Sequence, residues 1–561
     1  MSKPTLIPEL PEIPTAERTP LVEALLAILG HQQEIIVRQD EEIKAQKDEI
    51  RKLKGGAGRP KLKPSNLNQN ARSGKKKKKN NKPGDGGGKG QGDQGDKGQD
   101  GDQQRPGVAS ARVEEKRIEL PGTGPGWEFK GYRDYCVEDL VLEGVRRHYQ
   151  LEHWCSPDGH YHTASVPLAV SGGHFGPTLV SYILHQHYHN RVPQKLLLED
   201  LSNLGVKISA GQLNELLTGR SEVFHQEKAQ VKEAGLEVSS YIQSDDTGAR
   251  HQGRNGYCLF IGNRWFSYFE TTFSKSRINF LECLQTYRLY VVDEVALGYM
   301  DKHGLAEQHR YLLKRRGGEF LSAEVWQAHL DSCAVLGEKA RRIATEGALV
   351  GGLVRQGRSL DLCVLSDGAR QFSVFEHALC WVHAERALTQ LNPILDLDCQ
   401  GLSWTKQWFW DLYRELGAYR EAPSQDKQDQ IKAHFEQLVT LETSYAPLNA
   451  VLGRFSEQRE DLLRVLDHPE VPLHNNLSEN DIREQVTRRK VSGGTRSEAG
   501  RRCRDTFLSL KKTCRKHGIS FWAFLKDRIT GAGEVPPLAD IIRRAAQGAQ
   551  PVPAEAVTCG D

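Results

Sequence analysis

Two strand-like stretches decide the fold of this chain: LEVSSYIQSDDTG (236–248) and NGYCLFIGNRWFSYFETTF (255–273). The second contains two apolar and aromatic runs separated by a Gly-Asn turn, which is a hairpin signal. The first is predicted to pair with that ribbon and to end at Asp245 and Asp246. The pattern therefore predicts a sheet with two adjacent carboxylates at the end of a strand.

Two further stretches extend this pattern to an α/β arrangement. LDLCVLSDG (360–368) is predicted as a strand that ends in Asp367, and FEHALCWVHAERALTQL (375–391) as the helix that follows it. The segments 285–350 and 395–470 lie between these blocks and are too long for ordinary loops. They are therefore predicted to be helical insertions.

The stretch LHNNLSENDIREQVTRRK (473–490) is predicted as a helix with one carboxylate and several cations on one face. Four of its residues recur at the spacing of a single helical stripe: Glu479, Arg483, Val486 and Lys490. A structural role for Glu479 is the alternative, because Asn476 and Glu479 also match a helix N-cap with its capping-box glutamate.

Two strand-end aspartates and a helical glutamate are what a two-metal phosphoryl-transfer site requires. Carboxylates can bridge two Mg²⁺ ions roughly 3.5 to 4 Å apart, one activating the nucleophile and the other stabilising the leaving oxygen. A single aspartate at a strand end is usually a turn residue. The ordered triple of Asp245, Asp367 and Glu479 is therefore more informative than its members.

The composition is that of a multidomain protein without a membrane span. The chain has 561 residues, of which 38% are apolar, and a formal net charge of +3. No apolar run approaches the roughly 20 residues needed to cross a bilayer, and the first residues lack the apolar block of a signal peptide. The cysteines are scattered and form no CxxC pair, so neither a disulfide framework nor a zinc ribbon is indicated. We therefore expect a cytoplasmic protein.

The N-terminal part is predicted to contain a helix and a linker. In residues 1–54, one of the two heptad positions that form a coiled-coil seam is apolar, and the other is polar. The pattern leaves a weak coiled coil and a solvated single helix as alternatives. Residues 55–107 have almost no apolar side chains and are predicted to be disordered. Their run from Lys75 to Lys79 could bind phosphates or simply be solvated.

Residues 108–175 alternate in short apolar stretches and are predicted as a small β-rich segment. The tetrapeptide SPDG (156–159) is a turn signal within it. Cys155, His160 and His162 are of metal-ligand types, but a structural zinc site needs four ligands, so zinc is not expected.

Residues 176–235 are predicted to be helical. Pro193 can open a helix that Gly205 ends, and Ser209 with Gln212 forms a capping box on the next helix. Two helices across a glycine turn predict a helix-turn-helix with Gln212 facing a DNA major groove, or a plain helical hairpin.

Four blocks of this sequence resemble those of the IS66-type insertion-sequence transposases, a DDE family with an RNase H-like core. The blocks are YIQSDDTGARHQGRNGY (241–257), VLSDGARQF (364–372), CWVHAER (380–386) and LHNNLSENDIREQVTRRKVSGGTRSEAGRRCRDTF (473–507). The similarity extends from about Trp127 to the region of Pro537. It implies an RNase H-like catalytic core over 236–530, followed by a C-terminal tail at 531–561.

The resemblance implies catalytic and metal-binding roles for Asp245, Asp367 and Glu479, with Mg²⁺ or Mn²⁺ as the cofactor. Asp246 stands where many members have glutamate and is a possible ligand in place of Asp245. Of the zinc-binding segment that the family often carries before the core, only Cys155 remains. The partners implied are transposon ends and target DNA, a second copy of the chain in a homo-oligomer, and possible accessory transposition proteins. The resemblance also implies a prokaryotic protein associated with the nucleoid.

Candidate DNA contacts come from several places in the sequence. Cys380 and His383 form a CxxH pair that is either a buried thiol with a satisfied histidine or a pair whose histidine touches the scissile DNA. Arginines after the Gly493-Gly494 turn could hold a phosphate backbone. The predicted DNA-binding residues are Gln212, His383, Arg483, Lys490, Arg496 and Arg501.

The sequence thus predicts a DNA transposase that cuts at transposon ends and joins the freed 3′-hydroxyl to target DNA. Two alternatives stay open. One is a catalytically inactive DNA-binding protein derived from a transposase, and the other is an RNase H-like nuclease without strand transfer.

Overall fold

The computed structural model describes residues 140–166 and 173–548, together with the isolated positions 19, 22, 125, 127, 128 and 130. The chain divides between residues 102 and 103, and every element named below belongs to the second part. The helix predicted in 1–54, except for positions 19 and 22, and the linker predicted at 55–107 lie outside the described residues. Within the described ranges, no helix has the length and apolar character needed to cross a bilayer.

The strands of the described ranges form three sheets. The strands are β1 (His153–Cys155), β2 (Tyr161–Thr163), β3 (Tyr241–His251), β4 (Arg254–Gly262), β5 (Ser267–Thr272), β6 (Tyr290–Val291), β7 (Glu319–Phe320), β8 (Cys363–Ser366) and β9 (Glu376–Leu379). β1 pairs with β2 and β6 with β7, while the other five form the central sheet.

The helices before the second half of the central sheet are α1 (Pro177–Leu184), α2 (Gln194–Asn203), α3 (Ala210–Thr218), α4 (Glu222–Glu237), α5 (Arg277–Leu284), α6 (Glu294–Lys302), α7 (Glu307–Arg315), α8 (Ala323–Ser332) and α9 (Glu338–Arg355). Those after it are α10 (Trp381–Thr389), α11 (Asp396–Glu421), α12 (Gln425–Val439), α13 (Ala446–Glu457), α14 (Arg459–Leu462), α15 (Asn476–Ser492), α16 (Glu498–Lys516), α17 (Phe521–Thr530) and α18 (Leu538–Gln547). Together with the sheet they confirm the predicted α/β class.

The central sheet has the strand order β5-β4-β3-β8-β9. β3, β4 and β5 form an antiparallel meander, which confirms the predicted hairpin and its pairing with the first strand. β8 and β9 extend the sheet in parallel with β3. The prediction that β3 ends at Asp245 and Asp246 is wrong, because its antiparallel pairing with β4 continues to His251.

The stretch 375–391 is only partly the helix that the sequence predicted. Residues Glu376–Leu379 form β9, because their backbone pairs in parallel with β8, and α10 begins at Trp381. The start of the first predicted strand is also corrected, since α4 continues to Glu237 and β3 begins at Tyr241.

Both long connections contain the helices that their length predicted. The first carries α6 to α9 and the small β6-β7 sheet, and its Asp293 accepts the N–H of Ala296 at 2.9 Å as a helix cap. The second carries α11 to α14, which pack around an apolar core of their own that includes Phe409, Phe435 and Phe455. The insertions are therefore folded around buried side chains rather than open loops.

The described part of the predicted β-rich segment contains one small sheet. Within 140–166 there are two strands of three residues each, β1 and β2, joined by the predicted turn, in which the Gly159 N–H donates to the Ser156 carbonyl at 2.9 Å. The two helices predicted around Gly205 are present with their end signals. Pro193 precedes α2, Gly205 follows it with φ of 76°, and the capping box of Ser209 and Gln212 opens α3.

The region predicted as a C-terminal tail, 531–561, contains a packed helix. Leu538 and Ile542 of α18 are fully buried, and the Leu538 N–H donates to the Glu227 carboxylate of α4 at 3.2 Å. The tail prediction is therefore wrong for 538–547, because this amphipathic helix covers α4. Residues 549–561 lie outside the described ranges.

Candidate active site

Asp245 and Asp367 lie at neighbouring places along two adjacent parallel strands. Gln243 of β3 is in register with Leu365 of β8. Asp245 lies two residues after Gln243, and Asp367 lies two residues after Leu365. The continued register therefore brings the two aspartates side by side. β8 ends at Ser366, which confirms the prediction that Asp367 directly follows a strand. Its Oδ1 accepts the Ala369 N–H at 3.0 Å and shapes the loop that follows.

The first turn of α15 is fixed to the same region. Side chains alternate along a strand, so Gln243 and Asp245 lie on one face of β3. The Gln243 Oε1 accepts the Ser478 N–H of α15 at 3.2 Å. Asn475, which precedes the helix, donates from its side-chain amide to the Ser244 carbonyl at 3.3 Å. Glu479 therefore follows a residue that is anchored on the Asp245 face of β3.

The rest of α15 is held largely by polar contacts. Asp481 accepts a hydrogen bond from the Ser267 hydroxyl at 2.7 Å and pairs with Lys516 at 3.0 Å. Glu484 pairs with Lys511. These buried partners explain why the helix has no clear apolar stripe, and they leave the stripe of Glu479, Arg483 and Lys490 on the accessible side.

The capping-box role considered for Glu479 is not what the structure has. Asn475 is the N-cap and makes no side-chain cap hydrogen bond. The Glu479 Oε1 instead lies 3.4 Å from the Nε2 of His383 and 3.5 Å from the Nη2 of Arg386 on α10. Arg386 is not among the predicted site residues, although its place three residues after His383 puts both on one face of a helix.

Asp245 carries the most perturbed carboxyl group of this region. Burial, with the nearby carboxylates of Asp367, Asp246 and Glu479, raises its pKa to about 7. Its Oδ1 accepts the Asp246 N–H at 2.7 Å, but no lysine or arginine of the described residues pairs with it. The cations of this region pair with the other carboxylates instead, Lys275 with Asp246 and Arg386 with Glu479.

Asp245 should make the stability of the metal-free protein depend on pH. Between its ordinary pKa of 3.8 and about 7, the folded state binds a proton that the unfolded state does not. The free energy of unfolding should therefore fall as pH rises through that window. We expect Asp245→Asn to flatten this dependence, measured by thermal unfolding in EDTA from pH 5 to pH 8. Parallel curves for the two proteins would contradict the assignment.

Asp246 lies on the opposite face of β3 from Asp245 and has partners of its own. Its side chain is 6% exposed and pairs with Lys275. It also accepts a hydrogen bond from Gln371 at 2.7 Å, in the turn that follows Asp367. Asp246 thus ties β3 to the Asp367 loop, and Asp245 is the better candidate for a metal ligand.

As the side chains stand, no group of three His, Cys, Asp or Glu residues in the described ranges surrounds a point that could hold a metal ion. Glu479 is directed towards His383 and Arg386. The site thus consists of two aspartates just past the last β3-β8 pair and a glutamate whose carboxylate contacts α10.

Most of the predicted DNA-binding residues are exposed, whereas the possible site residue Cys380 is not. Arg483, Lys490 and Arg496 are exposed. Gln212 is exposed as well, but its Oε1 accepts the Ser209 N–H at 3.0 Å in the capping box. Cys380 is buried and its sulfur accepts the Asn475 N–H at 3.3 Å, so the thiol anchors the start of α15.

Arg501 is placed differently from the prediction. Its guanidinium donates to Glu270 at 3.0 Å, to the Thr271 carbonyl at 2.6 Å and to Glu498 at 3.1 Å. It also lies 3.4 Å from the buried Asp505. Because these groups take up the donors of Arg501, we assign it to the structure of the core and not to DNA contact.

The fold and the site define an α/β protein with a strand-borne carboxylate cluster beside a helix that exposes cations. A family model described as transposase IS66 family matches residues 368–502. The Sinorhizobium fredii protein named uncharacterized protein y4jO is 38% identical over 316 residues, which make up 55% of this chain and 98% of that protein. The chain belongs to the IS66 transposase family, which confirms the resemblance seen in the sequence blocks.

Proposed function

We propose that the chain is a DNA transposase that cuts DNA at transposon ends and joins the freed 3′-hydroxyl to target DNA. The observation that carries the proposal is the meeting of Asp245, Asp367 and the first turn of α15 where the pairing of β3 with β8 ends. Family membership supports DNA as the substrate. The mixed sheet with its flanking helices supports an RNase H-like core.

The carboxylates suit Mg²⁺ or Mn²⁺, both of which prefer oxygen ligands. Asp245 and Asp367 would hold the metal, and Glu479 would join them once its side chain turns away from α10. Burial and the nearby carboxylates raise the pKa of Asp245, and this supports the assignment because a bound cation would offset both effects. Bound divalent metal supplies charge stabilisation at the transferring phosphoryl group and a more acidic nucleophile.

The chain's own residues would orient the DNA and the ligands. Asp246 holds the Asp367 loop to β3 through Gln371, which fixes the spacing of the two aspartates. Arg483 and Lys490 are exposed on the same helix as Glu479 and would bind the phosphates on either side of the reacting group. His383 faces the same carboxylate and would lie beside the scissile DNA.

Metal binding should depend on both aspartates. We expect Asp245→Asn and Asp367→Asn each to weaken Mn²⁺ binding by at least about 10- to 100-fold, the cost of losing even an outer partner of a metal site. Isothermal titration calorimetry measures this. Asp301→Asn, which changes an exposed aspartate paired with Arg310, should bind Mn²⁺ like the unchanged protein. Equal binding in all the variants would favour a DNA-binding protein without metal chemistry.

The reaction itself is tested on duplex DNA that carries the ends of the element. With Mg²⁺ the protein should nick the labelled duplex at the end of the element, and EDTA should stop the reaction. Nicking that continues in EDTA would contradict the proposal, because carboxylates alone do not supply the charge stabilisation that phosphoryl transfer requires.

A further inference from the structure

A cationic surface lies at the C-terminal end of β3, beyond Asp245 and Asp246. There, the tip of the β3-β4 hairpin (250–254) is joined to the segment after α15 (493–498). The Gln252 N–H donates to the Thr495 carbonyl at 2.8 Å, and the Thr495 N–H donates to the Arg250 carbonyl at 2.9 Å. The His251 Nδ1 lies 2.8 Å from the Thr495 hydroxyl. We call these two joined segments the arginine platform.

Glycines allow the two segments to approach this closely. A Cβ on Gly494 would lie 2.4 Å from the Arg250 carbonyl oxygen, so only glycine fits at this position. Gly493 has a φ of 66°, which turns the chain out of α15 towards the hairpin. The Gly-Gly pair therefore builds a fixed joint, and the platform has a defined shape.

The platform presents positive charge that the fold does not neutralise. Arg250, Arg254 and Arg496 are exposed, and none has an ion-pair partner among the described residues. The acidic residue of the platform, Glu498, lies 3.3 Å from His251 and is held by Arg501. Three guanidinium groups thus face solvent on a rigid support.

α15 connects this platform to the carboxylates. It lies along β3, with Ser478 bonded to Gln243 at one end and Arg489 donating to the Gly248 carbonyl further along. Its exposed cations lie between the two sites. Arg250 is five residues beyond Asp245, which at about 3.3 Å per residue is a distance of about 17 Å.

We propose that the arginine platform binds the phosphate backbone of the same DNA duplex that is cut at the carboxylates. A separation of about 17 Å corresponds to about five base pairs at 3.4 Å each. The duplex is the occupant because its phosphates continue along the line from Asp245 through α15 to the platform, and guanidinium groups match phosphate in charge and geometry. This inference rests on the proposed function and adds a second point of contact to it.

Salt titration of DNA binding tests the platform. The platform variant carries Arg250→Ser, Arg254→Ser and Arg496→Ser, and the control variant carries the same charge change on the two insertions through Arg315→Ser, Lys339→Ser and Lys432→Ser. Removing three phosphate-binding side chains, at about 0.9 each, should reduce the slope of log affinity against log salt by about 2.7. Between about 50 and 200 mM salt, the unchanged protein and the control should then lose about 40-fold more affinity than the platform variant.

An unchanged slope in the platform variant would overturn the proposal. Circular dichroism checks its fold, and if the triple variant does not fold, Arg254→Ser alone should reduce the slope by about one. Binding is measured in EDTA, so the result does not depend on metal chemistry. If the unchanged protein nicks end DNA but the platform variant has an unchanged slope, the platform proposal fails and the proposed function stands. If the platform variant has a reduced slope but the unchanged protein does not nick, the proposed function fails and the platform remains a DNA contact.

Shortened duplexes test the position of the contact. The duplex is trimmed to about three base pairs beyond the scissile phosphate, first on one side and then on the other. Trimming on one of the two sides should remove the difference in salt slope between the unchanged protein and the platform variant, and trimming on the other should keep it. A difference that survives trimming on both sides would contradict a contact about five base pairs away.

Discussion

Glu479→Gln should lower Mg²⁺-dependent nicking of end DNA by on the order of 10³-fold or more while DNA affinity stays unchanged. The substitution removes one negative charge and keeps the volume of the side chain. It also removes the carboxylate contacts with His383 at 3.4 Å and Arg386 at 3.5 Å, which are partly exposed and contribute little to stability. Initial nicking rates and fluorescence anisotropy measure the two effects separately.

Glu385→Gln is the matched control for this prediction. Glu385 is on α10, between His383 and Arg386, and its carboxylate accepts a hydrogen bond from Thr389 instead of facing the site. The same chemical change there should leave nicking intact. Undiminished nicking in Glu479→Gln would remove Glu479 from the site, and a parallel loss in both variants would point to a disturbed α10.

Arg501→Ala should lower the free energy of unfolding by about 3 to 5 kcal/mol, the usual effect of removing one partner of a buried charged network. Burial alone would raise the pKa of Glu270, but Lys228 and Arg501 hold it below its usual range. Burial, with the charge of Glu270, raises the pKa of the neighbouring Asp505 above its usual range. Without Arg501, two carboxylates would share Lys228 as their main cation, and one of them would have to bind a proton.

Arg496→Ala is the control, because Arg496 is exposed and should change stability by no more than about 0.5 kcal/mol. Urea unfolding followed by fluorescence and circular dichroism measures both variants, and the two probes separate transitions of different regions. Equal stability of the two variants would contradict the structural role of Arg501. It would also return that residue to the DNA contacts that the basic run in the sequence indicated.

The strands of the central sheet could be predicted where local pattern and pairing agree. The aromatic hairpin of β4 and β5 has its own turn signal, and Asp367 follows a short apolar run that ends abruptly. β9 could not be predicted from its residues, because EHAL suits a helix equally well. Its pairing with β8 decides its conformation, and that partner lies elsewhere in the chain.

Long-range partners also explain why the contacts of Arg501 were not predicted. In sequence it belongs to a basic run that resembles a phosphate-binding segment. Its partner Glu270 lies 231 residues away, and no local pattern connects them. The buried partners of α15 have the same origin, since Ser267 and Lys516 lie far from Asp481 in the chain.

The candidate site was predictable in its residues and not in its side-chain arrangement. The order of two strand-associated aspartates and a helical glutamate follows from the sequence, because each belongs to an identifiable element. The direction of Glu479 depends on α10, whose His383 and Arg386 attract its carboxylate. The choice between Asp245 and Asp246 depends on Lys275 and Gln371, which engage only the second.

The most direct test of metal-dependent transposition at these carboxylates is a joining assay. Labelled end DNA, a target plasmid and Mg²⁺ are incubated with the unchanged protein and, in parallel, with Asp367→Asn. We predict labelled DNA joined covalently to the plasmid with the unchanged protein and neither nicked nor joined product with the variant. Nicks without joined product would indicate a nuclease without strand transfer, and joined product in Asp367→Asn would contradict the role of this site.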